Sequence, residues 1–276
     1  MKLILSLIVL VLSALPAHAS EKETAFDRIM RTGTIRCIYY IAPPLIIKDQ
    51  NTGAMSGAFV EYVEAVGKAL DLKIEWVADI NLGTYLQDLN QGKYDMECAT
   101  GWPNALRGKQ VEYTTPVGYV PFYAFVKDGV IKYDNKLEAL NDPVVRFAGH
   151  DGGTNSLAQQ KMFPKSQLLT VVGDAPPTEP IDMIKFGKAD VTMASSFEGE
   201  NYMKSNPKTI HRVVSEPLRF IPMNMSVAAN EFRLVNMINT ATNELMYDGT
   251  IEKIYQKYHI SPETVLRVDK PYEVKK

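Results

Sequence analysis

The 276-residue chain has few of the residues on which metal, redox or nucleic-acid chemistry depends: two cysteines, four histidines and two tryptophans. The cysteines and scattered histidines are too few for a zinc site of ordinary spacing, so no metal or other cofactor is expected. Charge of one sign is also lacking. Thirty Lys and Arg stand against 32 Asp and Glu, a net charge of −2. That balance excludes the basic footprint of a nucleic-acid binder and the cationic stripe of a membrane-surface helix. No internal repeat or low-complexity tract stands out, and beyond the N-terminus no apolar run approaches transmembrane length.

What is present begins with an export signal. Lys2 supplies a positive start, residues 3–15 form an apolar run too short to span a bilayer comfortably, and Ala17-His18-Ala19 has the small-x-small pattern of a cleavage site. Cleavage after Ala19 is expected, with an uncleaved anchor as the alternative. No cysteine follows the site, which argues against a lipid anchor. Removing Lys2 from the 30 basic residues leaves 29 against 32 acidic ones, or −3, in the mature chain. In an oxidising compartment the even cysteine count invites a disulfide between Cys37 and Cys98, two buried free thiols being the alternative.

The mature chain alternates strands and helices. Strands are expected over 35–41, 73–77, 94–99, 121–127, 144–148, 168–172 and 189–194. Helices are expected over 24–31, capped by Thr24 and stopped by Gly33, and over 57–70, 84–91, 156–163, 181–186, 234–246 and 250–258. Such alternation argues for mostly parallel sheets flanked by helices, with ligands beyond the carboxyl ends of the strands. That rule puts two segments on one rim. The first is the break after residue 41, where Tyr39 and Tyr40 approach Pro43 and Pro44 and are candidates to present a ring or hydroxyl to a ligand, core tyrosines being the alternative. The second is the loop from Thr100 to Arg107, which carries Trp102 and Asn104. A guanidinium there offers a planar fork to a carboxylate. Further on, Gly152-Gly153-Thr154-Asn155 opens a helix, a place where backbone N–H groups can meet an anion. Gly187-Lys188-Ala189-Asp190 echoes Gly92-Lys93-Tyr94-Asp95, as if one design were used twice.

Gly92, Asp95, Arg107, Tyr113, Pro116 and Tyr119 together resemble the first-lobe signature of the family 3 bacterial extracellular solute-binding proteins. The resemblance runs along nearly the whole mature chain. It implies a two-lobed periplasmic binding protein type II fold. Lobe one would be residues 20–120 and 222–276, lobe two residues 121–221, with crossings over 121–127 and 218–229. It places Cys37 and Cys98 on neighbouring strands within bridging range. It implies a small anionic or zwitterionic solute, held at its carboxylate by Arg107 and by the Gly153-Thr154 pair, and delivered by a monomeric periplasmic protein to the membrane permease of an ABC importer.

The chain departs from the amino-acid binders of that family. Trp102 and Asn104 stand where Ser or Thr is usual, and Ser195 replaces an aspartate that holds the α-ammonium. Serine cannot pair with an ammonium as a carboxylate does. Glu97, inside an apolar strand, is expected to pair away from the cleft rather than supply a counter-charge. Glu198 could reach the rim. Glu198 and the Gly-Gly-Thr-Asn loop also resemble secreted prephenate or arogenate dehydratases, in which that glutamate would act as a general acid. The alternatives to a transport binding protein are therefore such an enzyme, or a ligand-sensing partner that docks on a membrane receptor.

Overall fold

The computed structural model describes residues 23–268. Residues 1–19, read above as an export signal, and nearly all of the charged 268–276 tail lie outside the described residues. Among the described residues thirteen strands and eight α-helices follow in chain order: α1 Ala25–Thr32, β1 Thr34–Tyr39, β2 Ile47–Lys48, β3 Met55–Ser56, α2 Ala58–Ala69, β4 Lys73–Asp79, α3 Tyr85–Asn90, β5 Met96–Glu97, β6 Val111–Tyr113, β7 Gly118–Lys127, β8 Arg146–His150, α4 Thr154–Met162, β9 Gln167–Val171, α5 Glu179–Lys185, β10 Val191–Ser195, α6 Ser196–Ser205, β11 Ile210–Arg212, β12 Arg219–Met223, β13 Ser226–Ala228, α7 Phe232–Tyr247 and α8 Thr250–Lys257.

Two sheets organise the chain. The first has the order β4-β1-β5-β13-β6, and the second runs β11-β7-β10-β8-β9 with β12 beside β7. In both, the strands linked by helices pair in parallel: β1 with β4 and β5, and β8 with β9 and β10. Antiparallel pairs enter where the chain crosses between lobes. β7 and β12 run side by side from Gly118–Met223 to Phe122–Arg219, and β13, arriving after the return crossing, pairs antiparallel with β5 and β6. A right-handed helical crossover is required only between parallel neighbours, so a strand returning from the other lobe can join either way.

Local chemistry explains the elements that position the cleft. Thr24 caps α1 by accepting from the Asp27 N–H at 3.0 Å, and Gly33, with φ of 65°, closes it. α2 buries Phe59, Val63 and Val66, and α7 buries Leu234, Ile238, Ala241 and Leu245, the spacing of one helix face. Both faces pack with Ile35, Cys37, Met96 and Cys98 of the first sheet in one apolar core. The second sheet has its own cores on either face, around Phe147 and Val191 and around Phe125 and Ile184.

β5 pairs with β1 over only Met96 and Glu97. The chain then leaves the ladder, which is why the strand is shorter than the apolar run around it. Where the pairing stops, Cys98 donates its N–H to Ile38 O at 2.9 Å, and a disulfide joins Cys37 to Cys98 with Cα atoms 5.3 Å apart. The bridge therefore pins the strand end from which the cleft loop departs. Its partners are 61 residues apart in sequence, a loop whose closure in the unfolded chain is worth about 4 kcal/mol. The Cys37→Ala/Cys98→Ala variant is expected to lose stability of that order in urea unfolding; an unchanged midpoint would show that the bridge contributes nothing.

Candidate functional site

A cavity lies between the two sheets at the ends of β1, β5, β8 and β10. Lobe one lines it with Tyr40, Tyr85, Glu97, Thr100, Trp102 and Arg107. Lobe two contributes His150, Gly153, Thr154, Asn155, Met193 and Glu198. Ile80, Leu82, Pro177, Pro180 and Ile181 add apolar wall.

Arg107 is buried, and its Cζ sits 5.2 Å from the centre of the Tyr85 ring. Its Nη1 donates to Gly101 O at 3.3 Å and Trp102 O at 3.4 Å, and its Nη2 donates to Gly152 O at 2.9 Å, reaching across to lobe two. All three acceptors are neutral carbonyls. Among the described residues no carboxylate forms an ion pair with it. Thr154 repeats the crossing in the other direction, donating from Oγ1 to Trp102 O at 3.1 Å. Asn201 Nδ2 donates to Pro43 O at 3.1 Å near the mouth.

Two glycines allow this approach. Gly101 has φ of 55°, and a Cβ on it would lie 2.7 Å from Asn224 O. Gly152 has φ of 67°, and a Cβ there would lie 2.9 Å from Leu82 O of the other lobe. Trp102 itself takes a positive φ of 40°, a strained setting for a bulky side chain, and packs edge-on to Phe122 of the crossing strand at 5.0 Å.

Three residues expected at the ligand lie elsewhere. Tyr39 turns into the lobe-one core, edge-on to Trp76 at 6.1 Å, and accepts from Lys48 Nζ at 2.8 Å. Strand alternation sends its neighbour Tyr40 to the cavity instead. Asn104 is spent on the backbone: its Oδ1 accepts from the N–H groups of Leu106 and Arg107, both at 3.0 Å, and so shapes the turn that delivers the guanidinium. Ser195 is the N-cap of α6, accepting from the Glu198 N–H at 3.1 Å while Glu198 Oε2 accepts from Ser195 N and Oγ, both at 2.9 Å. Thr100, Trp102, Arg107, Gly153, Thr154, Asn155, Tyr40 and Glu198 all line the cavity. Asn155 donates from Nδ2 to Met193 O at 3.0 Å, and its Oδ1 and the Trp102 Nε1 are buried without a hydrogen-bond partner among the described residues.

Glu97, expected to pair away from the cleft, faces it. Its Oε1 accepts from the Gly101 N–H and its Oε2 from the Ser226 hydroxyl, both at 3.0 Å. Burial pushes its carboxyl up to about 7; the two hydrogen bonds and the nearby Arg107 only partly oppose this. Burial also raises the Glu198 carboxyl above its ordinary value, against the hydrogen bonds from Ser195. Tyr85, legible in the sequence only as part of a helix's buried face, is the ring under Arg107. His150, whose Nε2 lies 3.1 Å from Ala175 O, carried no sequence signal beyond its place before the glycine pair.

Two sheet-based lobes joined by crossing strands around a small cleft define a bacterial binding-protein architecture. The chain belongs to the bacterial extracellular solute-binding proteins, family 3, which it matches over residues 23–261. It is 24% identical over 78% of its length to the amino-acid-binding protein AabA of Dichelobacter nodosus, covering 83% of that protein. It is 21% identical to the probable amino-acid-binding protein YxeM of Bacillus subtilis (strain 168), over 93% of each. A solved ancestral arginine-binding protein bound to arginine superposes with a TM-score of 0.72 at 26% identity, over 82% of this chain and 98% of the other.

The shifted Glu97 carboxyl has a consequence for stability. Below pH 4.5 the carboxyl is protonated in the folded and the unfolded chain alike and contributes nothing. From pH 4.5 to about 7 the unfolded chain has lost the proton and the folded one keeps it, so stability falls as pH rises, by up to about 3 kcal/mol, and is level above. Glu97→Gln keeps an acceptor for Gly101 and removes the titration. The variant should gain stability over the unmodified protein at pH 8 and not at pH 4, read from denaturant midpoints at the two pH values; an equal difference at both would exclude a raised Glu97.

Proposed function

We propose that the protein is a monomeric periplasmic binding protein, released by cleavage after Ala19, that captures a small amino-acid-like solute by its carboxylate and delivers it to the membrane permease of an ABC importer. The observation that carries this reading is Arg107: a buried guanidinium facing a cavity, hydrogen-bonded only to carbonyls and without an ion pair among the described residues. A buried cation of that kind favours an anionic partner strongly, because the low surrounding dielectric raises the value of the pair. The names of the relatives, amino-acid-binding proteins and an arginine-bound ancestral protein, agree with such a solute.

Around that anchor we assign Trp102 and Tyr40 as walls, Thr100, Gly153, Thr154 and Asn155 as polar contacts, and Glu198 as the acidic group on the lobe-two side that meets an ammonium in place of the missing aspartate. Residues 20–120 with 222–276 would move as one lobe and residues 121–221 as the other, closing over the solute. The prephenate dehydratase alternative would use Glu198 as a general acid; the cap of α6 occupies only its Oε2, and it is the amino-acid-binding relatives that favour the transport reading.

A thermal-shift screen of the common L-amino acids tests the reading. A solute bound only by the folded protein adds about 2.7 kcal/mol at a hundred times its Kd. At least one amino acid should raise the melting temperature, and prephenate should not be consumed. Arg107→Ala should weaken calorimetric affinity for that solute by about thirtyfold or more, the loss expected when one partner of a buried charge pair is truncated. Undiminished affinity would rule out Arg107 as the anchor.

A further inference from the structure

We propose that Glu97 sets the charge of the anion subsite, taking up a proton when an anionic solute settles on Arg107, so that capture is proton-linked. The inference rests on the reading of Arg107 as the carboxylate anchor. Three observations support it. Glu97 is 2% exposed, yet it lines the cavity in which the guanidinium lies. Its two hydrogen-bond partners, the Gly101 N–H and the Ser226 hydroxyl, are neutral, and no Lys, Arg or His lies within ion-pair distance of it among the described residues. Finally, the Gly101 residue joins the two groups: its N–H donates to Glu97 Oε1, and its carbonyl accepts from Arg107 Nη1.

The groups facing Glu97 come from several elements. Arg107 stands on the turn after β5, Tyr85 on α3, Tyr113 on β6, and Ser226 on β13. Both tyrosines stay neutral, because burial pushes their hydroxyls above the ordinary value. Arg107 is therefore the one permanent charge beside Glu97 among these. With Glu97 ionised, the two charges compensate and the subsite offers little net attraction to an anion. With Glu97 protonated, the guanidinium is uncompensated. A carboxylate arriving on Arg107 brings a like charge near Glu97 and disfavours its ionised form. By linkage, the solute binds the protonated protein more tightly, and binding draws a proton from solvent. Affinity should fall as pH rises above about 7 and level off once Glu97 is ionised in the bound state as well.

The experiment uses the mature protein and the amino acid that gives the largest melting shift in the common L-amino acid panel. Calorimetry at pH 7.5 in phosphate and in Tris, whose ionisation enthalpies differ, counts protons exchanged on binding. A net uptake is expected, together with a Kd several-fold weaker at pH 8.5 than at pH 6. In Glu97→Gln the uptake should vanish and affinity at pH 8.5 should rise to at least that of the unmodified protein at pH 6. Uptake that persists in Glu97→Gln, or none in the unmodified protein, overturns the proposal. In solute-free protein, carboxyl-carbon NMR should place the Glu97 midpoint near 7; a midpoint below 5 overturns it even where a solute binds. If no amino acid binds, the functional reading falls, and this inference with it. If one binds with no proton uptake, only this inference falls.

Discussion

The Asp95 carboxylate is the clasp on which the lobe-one side of the cleft depends. It is buried, and it accepts from the Arg36 N–H at 2.6 Å, from Arg36 Nη2 at 2.9 Å and from Arg28 Nε at 2.8 Å, with a further bond from Arg28 Nη2. Arg36 also donates to Gly92 O at 2.9 Å. One carboxylate thereby ties the start of β5 to β1 and to α1. The register fixed there decides where each strand stops, and so where the Thr100–Arg107 loop begins. Charge-assisted bonds to a buried carboxylate are stronger than neutral ones, and removing either side would leave an uncompensated charge.

Lobe two is built on the same clasp. Asp190 accepts from the Arg146 N–H at 2.9 Å and from Arg146 Nη2 at 3.0 Å, and Arg146 donates to Gly187 O at 3.1 Å. The guanidinium holds the Asp190 carboxyl below its ordinary value. The Gly-Lys-x-Asp echo in the sequence thus has a structural cause: glycine ends a helix, and aspartate three residues later locks the next strand to its neighbour. It explains why Gly92 and Asp95, part of the family's first-lobe signature, do not line the cavity while Arg107 of the same signature does.

Much of the scaffold was legible because each element carried its own punctuation. Thr24 and Gly33 bracket α1, Gly92 and Gly187 precede the two clasps, and the apolar spacing of α2 and α7 matches their buried faces. The cleft was legible only in part, since residue type does not say which way a side chain points. Tyr39 and Tyr40 are adjacent and chemically alike, and one step of strand alternation separates core from cavity. Asn104 and Ser195 have oxygens as able to serve a backbone N–H as a ligand, and here the backbone takes both. Ser195-x-x-Glu198 is also a helix-start signature, so α6 was open to reading from that pattern alone. Glu97 was visible as an acid inside an apolar strand, but its direction is set by Gly101 and Ser226, the latter 129 residues further along the chain.

The two lobes share a clasp and differ in what they present. After β5 the chain makes a tight turn at Gly101 and a short 3-10 helix at Arg107–Lys109, so a long cationic side chain reaches inward. After β8 the chain passes Gly152 and Gly153 straight into α4, and what faces the cavity is Thr154, Asn155 and main chain. The acid of lobe two arrives from α6, one turn beyond the strand end. The same scaffold therefore yields an asymmetric cleft, with Arg107 and Glu97 on one wall and Thr154, Asn155 and Glu198 on the other. The bonds that cross it, Arg107 to Gly152 O and Thr154 to Trp102 O, end on backbone carbonyls, which hold no net charge. Contact between the lobes thus leaves Arg107 and Glu198, which line opposite sides of the cavity, unpaired with one another among the described residues.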